Sequence, residues 1–255
     1  MTEETKTFWG HLEDLRWCLF RVVIVLLVGV VGGFCVMPYL FEHFVMAPTT
    51  SDFVLYRALA ATGWFPELAS EQFSVEIINI KLASQFTTHI STSFWLALIV
   101  TFPYLVYELW RFIAPALYVH ERRSVSIAFW AGTLMFFLGC AVGYLLVFPL
   151  TFRFLAEYQL SATIANQISL NSYMSNFLGM VFVMGLVFEL PLMTWLLSNL
   201  GVVNRAMLSA FRRYAVVGLL VLSAFITPSG DPFTLMVVFM PLYLLYEVGI
   251  VVAKR

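Results

Sequence analysis

Six long apolar segments, none with the strict alternation of a half-buried strand, constrain this chain more than any other feature. They run from Trp17 to Met37, Ala83 to Tyr107, Ser124 to Leu150, Tyr173 to Leu197, Tyr214 to Ile226 and Phe233 to Val252. Built as a helix at about 1.5 Å per residue, the first is about 31 Å long, enough for a hydrocarbon core of about 30 Å. A backbone in lipid must satisfy its own hydrogen bonds, so such runs form helices, and their continuous pattern argues against an outer-membrane barrel. Only 11% of the 255 residues are charged and 61% are hydrophobic, with a mean hydropathy of +0.89. Soluble domains carry about 25% charged residues. The sequence thus predicts an all-α polytopic membrane protein, with six transmembrane helices in one integral membrane domain over residues 1–255.

The segments are unequal. Tyr214–Ile226 makes a helix of about 20 Å, and the turn after it, Thr227-Pro228-Ser229-Gly230-Asp231-Pro232, is short and rich in breakers. The last two helices are therefore expected to be short and to form a shallow hairpin that thins the bilayer. The alternative is a fifth helix that starts earlier, near Leu208, with Arg212 and Arg213 snorkelling. Pro103, Pro149, Pro191 and Pro241 each predict a bend or a helix end, and so a bent bundle. Residues 38–82 form the largest loop and are expected to fold as short helices on the outer surface. No internal repeat or second domain is visible. The first apolar run is too long for a cleavable leader, and no small-residue cleavage site follows it.

Charge sets the orientation. Of the 14 Lys and Arg residues, 11 fall on the side of the termini and of the second and fourth loops. These are Lys6, Arg16, Arg21, Arg111, Arg122, Arg123, Arg205, Arg212, Arg213, Lys254 and Arg255. The remaining 3, Arg57, Lys81 and Arg153, fall on the other side. The positive-inside rule then places both termini in the cytoplasm. Cys18, Cys35 and Cys140 have neither metal-ligand nor redox spacing and read as small hydrophobes.

Ionisable residues inside spans are costly and imply a task or a partner. Glu189, in Phe188-Glu189-Leu190-Pro191, is the stronger case. Pro191 removes one helical hydrogen bond and frees the carbonyl of Val187. Glu189 then reads either as a polar site on a concave, kinked face or as a carboxyl group bonded to a neighbouring helix. Glu247, in Leu245-Tyr246-Glu247-Val248, lies near Lys254 and Arg255, where pairing or snorkelling also explains it.

Two cytoplasmic segments mix charges with hydrophobes. One is His11-Leu12-Glu13-Asp14-Leu15-Arg16, an amphipathic lead-in to the first span. The other is Phe112-Ile113-Ala114-Pro115-Ala116-Leu117-Tyr118-Val119-His120-Glu121-Arg122-Arg123. The second run closely resembles the signature of TatC, the receptor of the twin-arginine protein translocase. The His-Leu-x-x-Leu-Arg lead-in, Val147-Phe148-Pro149-Leu150, Phe188-Glu189-Leu190-Pro191, the Thr227-Pro228 turn and Tyr246-Glu247 match in the same order. The resemblance covers nearly the whole chain.

It implies a receptor for twin-arginine signal peptides of folded cargo, in a multi-pass bacterial inner-membrane protein that forms an oligomeric complex with TatA- and TatB-type single-span subunits. Energy in that family comes from the proton-motive force, with no cofactor and no nucleic acid. The signal-binding glutamate of the family matches Glu121. Its N-terminal acid falls on Asp14, with Glu13 beside it, and its N-terminal arginine on Arg16. Phe112 and Arg123 lie in the same binding run. Pro48, Glu189 and Asp231 match its outer-loop proline, intramembrane glutamate and last-turn acid, and Glu247 joins them as an intramembrane partner contact. Asp14 stands where the family usually has Glu, Cys18 where a basic residue is common, and Leu235 where a polar one is common.

Read without the resemblance, Glu121 is either neutralised locally by Arg122 and Arg123 or is a ligand for a cation. A proton-coupled transporter or channel would explain Glu189 and Glu247, but few polar residues spread through the spans. No GxSxG, HExxH or P-loop motif supports an enzyme.

Overall fold

The computed structural model describes residues 8–61, 73–113, 122–161, 163, 166–227 and 230–254. Ten α-helices lie among them: α1 (Phe8–Leu40), α2 (Val54–Ala61), α3 (Ser84–Ile113), α4 (Arg122–Val142), α5 (Phe148–Glu157), α6 (Leu170–Val187), α7 (Leu190–Asn199), α8 (Arg205–Ala210), α9 (Arg212–Ile226) and α10 (Pro232–Val252). The amphipathic lead-in and the first span are one continuous helix of 33 residues. The third and fourth expected spans are each broken in two. A wide π-type turn, Gly143–Val147, precedes Pro149 between α4 and α5. The α6–α7 break falls at Phe188 and Glu189, just before Pro191, where a proline cannot continue the ladder of bonds. Pro103 and Pro241 lie within unbroken helices.

Five stretches have the length and apolarity to cross a membrane: Leu12–Thr49, Ser84–Leu109, Phe129–Glu157, Leu170–Asn199 and Pro232–Val252. Of these five stretches the last is the shortest. α10 has 21 residues against 26 to 38 in the other four stretches. α9 has 15, about 22 Å. It begins between the two starts the sequence allowed, because the chain breaks at Phe211 after the separate short helix α8.

The loop of residues 38–82 contains the expected short helices, including α2 and a turn at Ala47–Thr49. It also contains a strand that an all-α reading leaves out. β1 (Ile77–Ile78) pairs in parallel with β2 (Ile168–Ser169), with Ile77 opposite Ile168. Two half-buried extended segments satisfy their backbones on each other there.

The chain divides into two compact units, Met1–Met37 with His89–Thr133, and Pro38–Thr88 with Leu134–Arg255. In the first, Gly29 and Gly33 of α1 lie close to Ala97 and Ser93 of α3, the small-residue packing that lets membrane helices approach. Pro38 cannot bond back to the Phe34 carbonyl. His89 donates to that carbonyl from Nε2 at 2.9 Å and stacks on the Phe34 ring at 3.8 Å. Much of α1 exposes Val28, Val31 and similar side chains, which in a bilayer face lipid.

The second unit is built on aromatic packing. Phe148, Phe152, Tyr173 and Phe177 contact one another with ring centroids 5.0 to 6.2 Å apart. Tyr144 and Tyr173 donate to the carbonyls of Phe44 and Val45 and so fasten the start of the 38–82 loop. α4 and α6 approach through glycine. A Cβ on Gly139 would stand 2.5 Å from the Met184 carbonyl oxygen, a backbone atom that cannot swing aside. Gly139→Ala should therefore destabilise the purified protein by about 1–3 kcal/mol through overpacking. Gly179→Ala, with open space at its Cβ, should leave the thermal midpoint equal or higher. Equal midpoints for wild type and Gly139→Ala would refute the close packing.

Candidate functional site

The expected recognition residues lie in the first unit. Glu13, Asp14 and Arg16 sit on the first turns of α1 with exposed side chains. Phe112 is half-buried near the end of α3. Glu121 and the preceding residues 114–120 lie outside the described residues. Arg123 is in the first turn of α4, but its side chain lies outside them too.

Beside these stands a residue the sequence reading passed over. Glu108 of α3 is 2% exposed. Tyr104 donates to its Oε1 at 3.0 Å. Arg21 of α1 brings Nη2 to 3.2 Å from Oε2, and Arg111 brings Nη1 to 3.8 Å from Oε1. The Cys18 thiol donates to the Glu108 backbone carbonyl at 3.7 Å. A buried carboxylate thus joins the N-terminal part of α1 to the C-terminal end of α3. The signal was present in the sequence. Tyr104, Glu108 and Arg111 are spaced i−4, i and i+3, one face of a helix. A span that ends at Tyr107 leaves Glu108 just beyond its boundary.

Glu189 and the other expected polar positions belong to the second unit. Glu189 is 9% exposed and caps the backbone turn into α7. Its Oε1 is buried with no hydrogen-bond partner. Its carbonyl accepts from Met193 N–H at 2.9 Å, so the backbone is satisfied and Oε1 is not. Pro48 is buried, and Tyr56 donates to its carbonyl (3.2 Å) and to that of Pro149 (3.0 Å). Burial pushes the Tyr56 phenol above its ordinary pKa, against the pull of Arg153, so it stays a donor. Arg153 is buried between the rings of Tyr56 and Phe73, 4.9 and 4.5 Å from their centroids, with Nε on Glu157 at 2.8 Å.

Asp231 caps α10 by accepting from Thr234 N–H at 2.8 Å, a fixed local task at the position matched to a partner contact. Glu247 pairs with Arg212 of α9 at 2.7 Å, each side chain 30% or more exposed.

Helix lengths and a carboxyl group stranded at a kink describe a membrane scaffold. The sequence decides which one. The family model for the Sec-independent protein translocase protein (TatC) matches residues 10–241. The chain belongs to the TatC family. A TatC protein of Deinococcus radiodurans is 36% identical over 247 residues, 96% of this chain and 85% of the relative. The Escherichia coli K12 protein is 32% identical over 255 residues, 97% of this chain and 88% of its own. Two crystal structures of a twin-arginine translocase receptor, TatC, superpose on this fold. One has a TM-score of 0.71 at 31% identity, covering 95% of this chain and 97% of that one. The other, in the detergent DDM, has 0.74 at 30%, covering 96% and 100%. This TatC-family chain is a multi-pass membrane protein of bacterial type and a component of the protein translocase, not an enzyme.

Proposed function

We propose that this chain is the receptor that binds twin-arginine signal peptides of folded cargo at its cytoplasmic face. The observation that carries the reading is the acidic pair Glu13 and Asp14, exposed on the first turns of α1 in a TatC-family chain. The second acid is Glu121, the family's signal-binding position. In an extended peptide, adjacent side chains point to opposite sides. Two neighbouring arginines therefore need carboxylates on two separate segments. Each charge-assisted pair contributes about 1.5–3 kcal/mol. Arg16, Arg123 and Phe112 complete the binding surface.

Both termini are cytoplasmic, following the distribution of Lys and Arg. α9 is the fifth of six spans, accommodated by a thinned bilayer, and the whole chain is one integral membrane domain. The apolar stretch of the signal lies along the kinked face that bears Glu189. TatA- and TatB-type subunits assemble on the same scaffold, with Pro48, Asp231 and Glu247 near their contacts, and the proton-motive force drives transport.

The deciding experiment is a peptide pull-down on the purified chain. Glu121→Ala should weaken binding of an Arg-Arg peptide about 10- to 150-fold, and Glu121→Gln should weaken it through loss of charge alone. A Lys-Lys peptide should bind poorly even to the wild type, because lysine lacks the bidentate fork. Unchanged binding by Glu121→Ala, in a protein that inserts normally, refutes the receptor reading. Crosslinks from the peptide's apolar part should reach positions near Val187; contact with lipid alone would refute that placement.

A further inference from the structure

The last third of the chain carries a charge pattern that signal recognition does not use. From Leu190 to Lys254 the only acids are Asp231 and Glu247. Asp231 caps α10 at its start, and Glu247 is taken by Arg212. Three cations remain, Arg205, Arg213 and Lys254. All three are exposed, and none has an ion-pair partner among the described residues.

The fold gathers them at one end of a helix cluster. Arg205 N–H donates to the Lys254 carbonyl at 3.0 Å, and Lys254 N–H to the Ser198 hydroxyl of α7 at 2.7 Å. Tyr246 of α10 donates to the Leu208 carbonyl of α8 at 2.7 Å. Arg213, at the start of α9, lies over the ring of Tyr214, 4.9 Å from its centroid. Around these charges the apolar side chains of Val202, Met207, Phe211 and Tyr214 stand 45% to 62% exposed. A purely solvated basic face would not carry them.

Depth supplies the second argument. Read as a span, as proposed above, α9 with its 15 residues covers about 22 Å of a core of about 30 Å. A helix that short draws its flanking residues toward the headgroups. Cations there, beside exposed apolar side chains, meet phosphate above and acyl chain below.

We propose that the face formed by α8, the first turn of α9 and the end of α10 is a binding site for an anionic phospholipid. Arg205, Arg213 and Lys254 hold the headgroup phosphate, while Met207 and Phe211 lie against its chains. Arg212 is withheld by Glu247. The site is separate from the signal-binding carboxylates, and its failure would leave the receptor reading untouched.

The test titrates phosphatidylglycerol, phosphatidylcholine and inorganic phosphate into the purified full-length chain. It follows the thermal midpoint and, by native mass spectrometry, the lipid retained. Phosphatidylglycerol should stay bound and raise the midpoint; phosphatidylcholine should do neither. Arg205→Gln/Arg213→Gln/Lys254→Gln should lose affinity for phosphatidylglycerol on the order of a hundredfold, at about fivefold per cation. Arg205→Lys/Arg213→Lys should retain most of it, which keeps the test decisive should the glutamine variant fold poorly. Arg57→Gln/Lys81→Gln, charges at the other side, should change nothing. Equal lipid retention by wild type and the glutamine variant overturns the proposal, as does weak binding by the lysine variant. Equal binding of phosphatidylcholine overturns it too. A midpoint shift from inorganic phosphate alone, matching that of the lipid, would make the site a free-anion site and overturn the lipid assignment.

Discussion

Glu189→Leu should raise the thermal midpoint of the purified protein and stop export of a twin-arginine reporter in cells. The two effects have opposite signs because they arise from different things. Glu189 is 9% exposed and its Oε1 has no hydrogen-bond partner. A buried polar atom left unsatisfied costs about 1–3 kcal/mol. Leucine fills a similar volume without that cost, so the fold should gain about 1 kcal/mol. The backbone turn at the kink does not depend on the carboxyl group, since its bonds run from Glu189 N–H to the Leu186 carbonyl and from Met193 N–H to the Glu189 carbonyl. A side chain that costs stability at a break in a membrane helix is best explained by a partner supplied during transport. Glu189→Gln separates charge from hydrogen bonding: if export survives in it, the partner needs an acceptor rather than an acid. A lower midpoint for Glu189→Leu would show a structural partner instead. Normal export by that variant would remove Glu189 from the mechanism.

Much of this was legible because the bilayer simplifies the problem. Continuous apolar runs must be helices there; the runs at 173–197 and 233–252 lie within three residues of α6–α7 and α10, whereas α1 begins nine residues before Trp17 and α3 ends six after Tyr107. Pro191 marked the α6–α7 break for a local reason, a missing N–H. Other features depended on distant partners and left weaker traces. The β1–β2 pair joins residues far apart in sequence by two-residue strands, which carry no periodicity. Tyr56 reads as an ordinary loop aromatic until the fold brings it under the carbonyls of Pro48 and Pro149. Sequence proximity points Glu247 to Lys254 and Arg255, whereas its ion-pair partner is Arg212 on α9. In each case chain separation hid the contact, while the residue type was informative.

Glu108→Ala should cost the fold about 2 kcal/mol and also weaken twin-arginine peptide binding, although Glu108 is buried. Removing one member of a fully buried pair costs about 3–5 kcal/mol, because the other charge is left uncompensated. Here Arg21 and Arg111 are 41% and 58% exposed and recover some water, which lowers the cost. Arg21 Nε is already buried without a hydrogen-bond partner, so loss of the carboxylate strands the guanidinium further. Glu108→Gln keeps an acceptor for Tyr104 and should cost less than the alanine variant. A double-mutant cycle with Arg21→Ala should give a coupling of about 1–2 kcal/mol; additive losses would show that the 3.2 Å approach carries no energy. The effect on binding follows from helix geometry. Arg21 lies seven residues, two turns, after Asp14 and so on the same stripe of α1. A clamp on Arg21 therefore fixes the helix face that presents the acidic pair. Loosening it should weaken the Arg-Arg peptide less than Glu121→Ala does, and Arg21→Ala should weaken it similarly. Reduced stability with unchanged peptide affinity would confine Glu108 to the packing of α1 on α3.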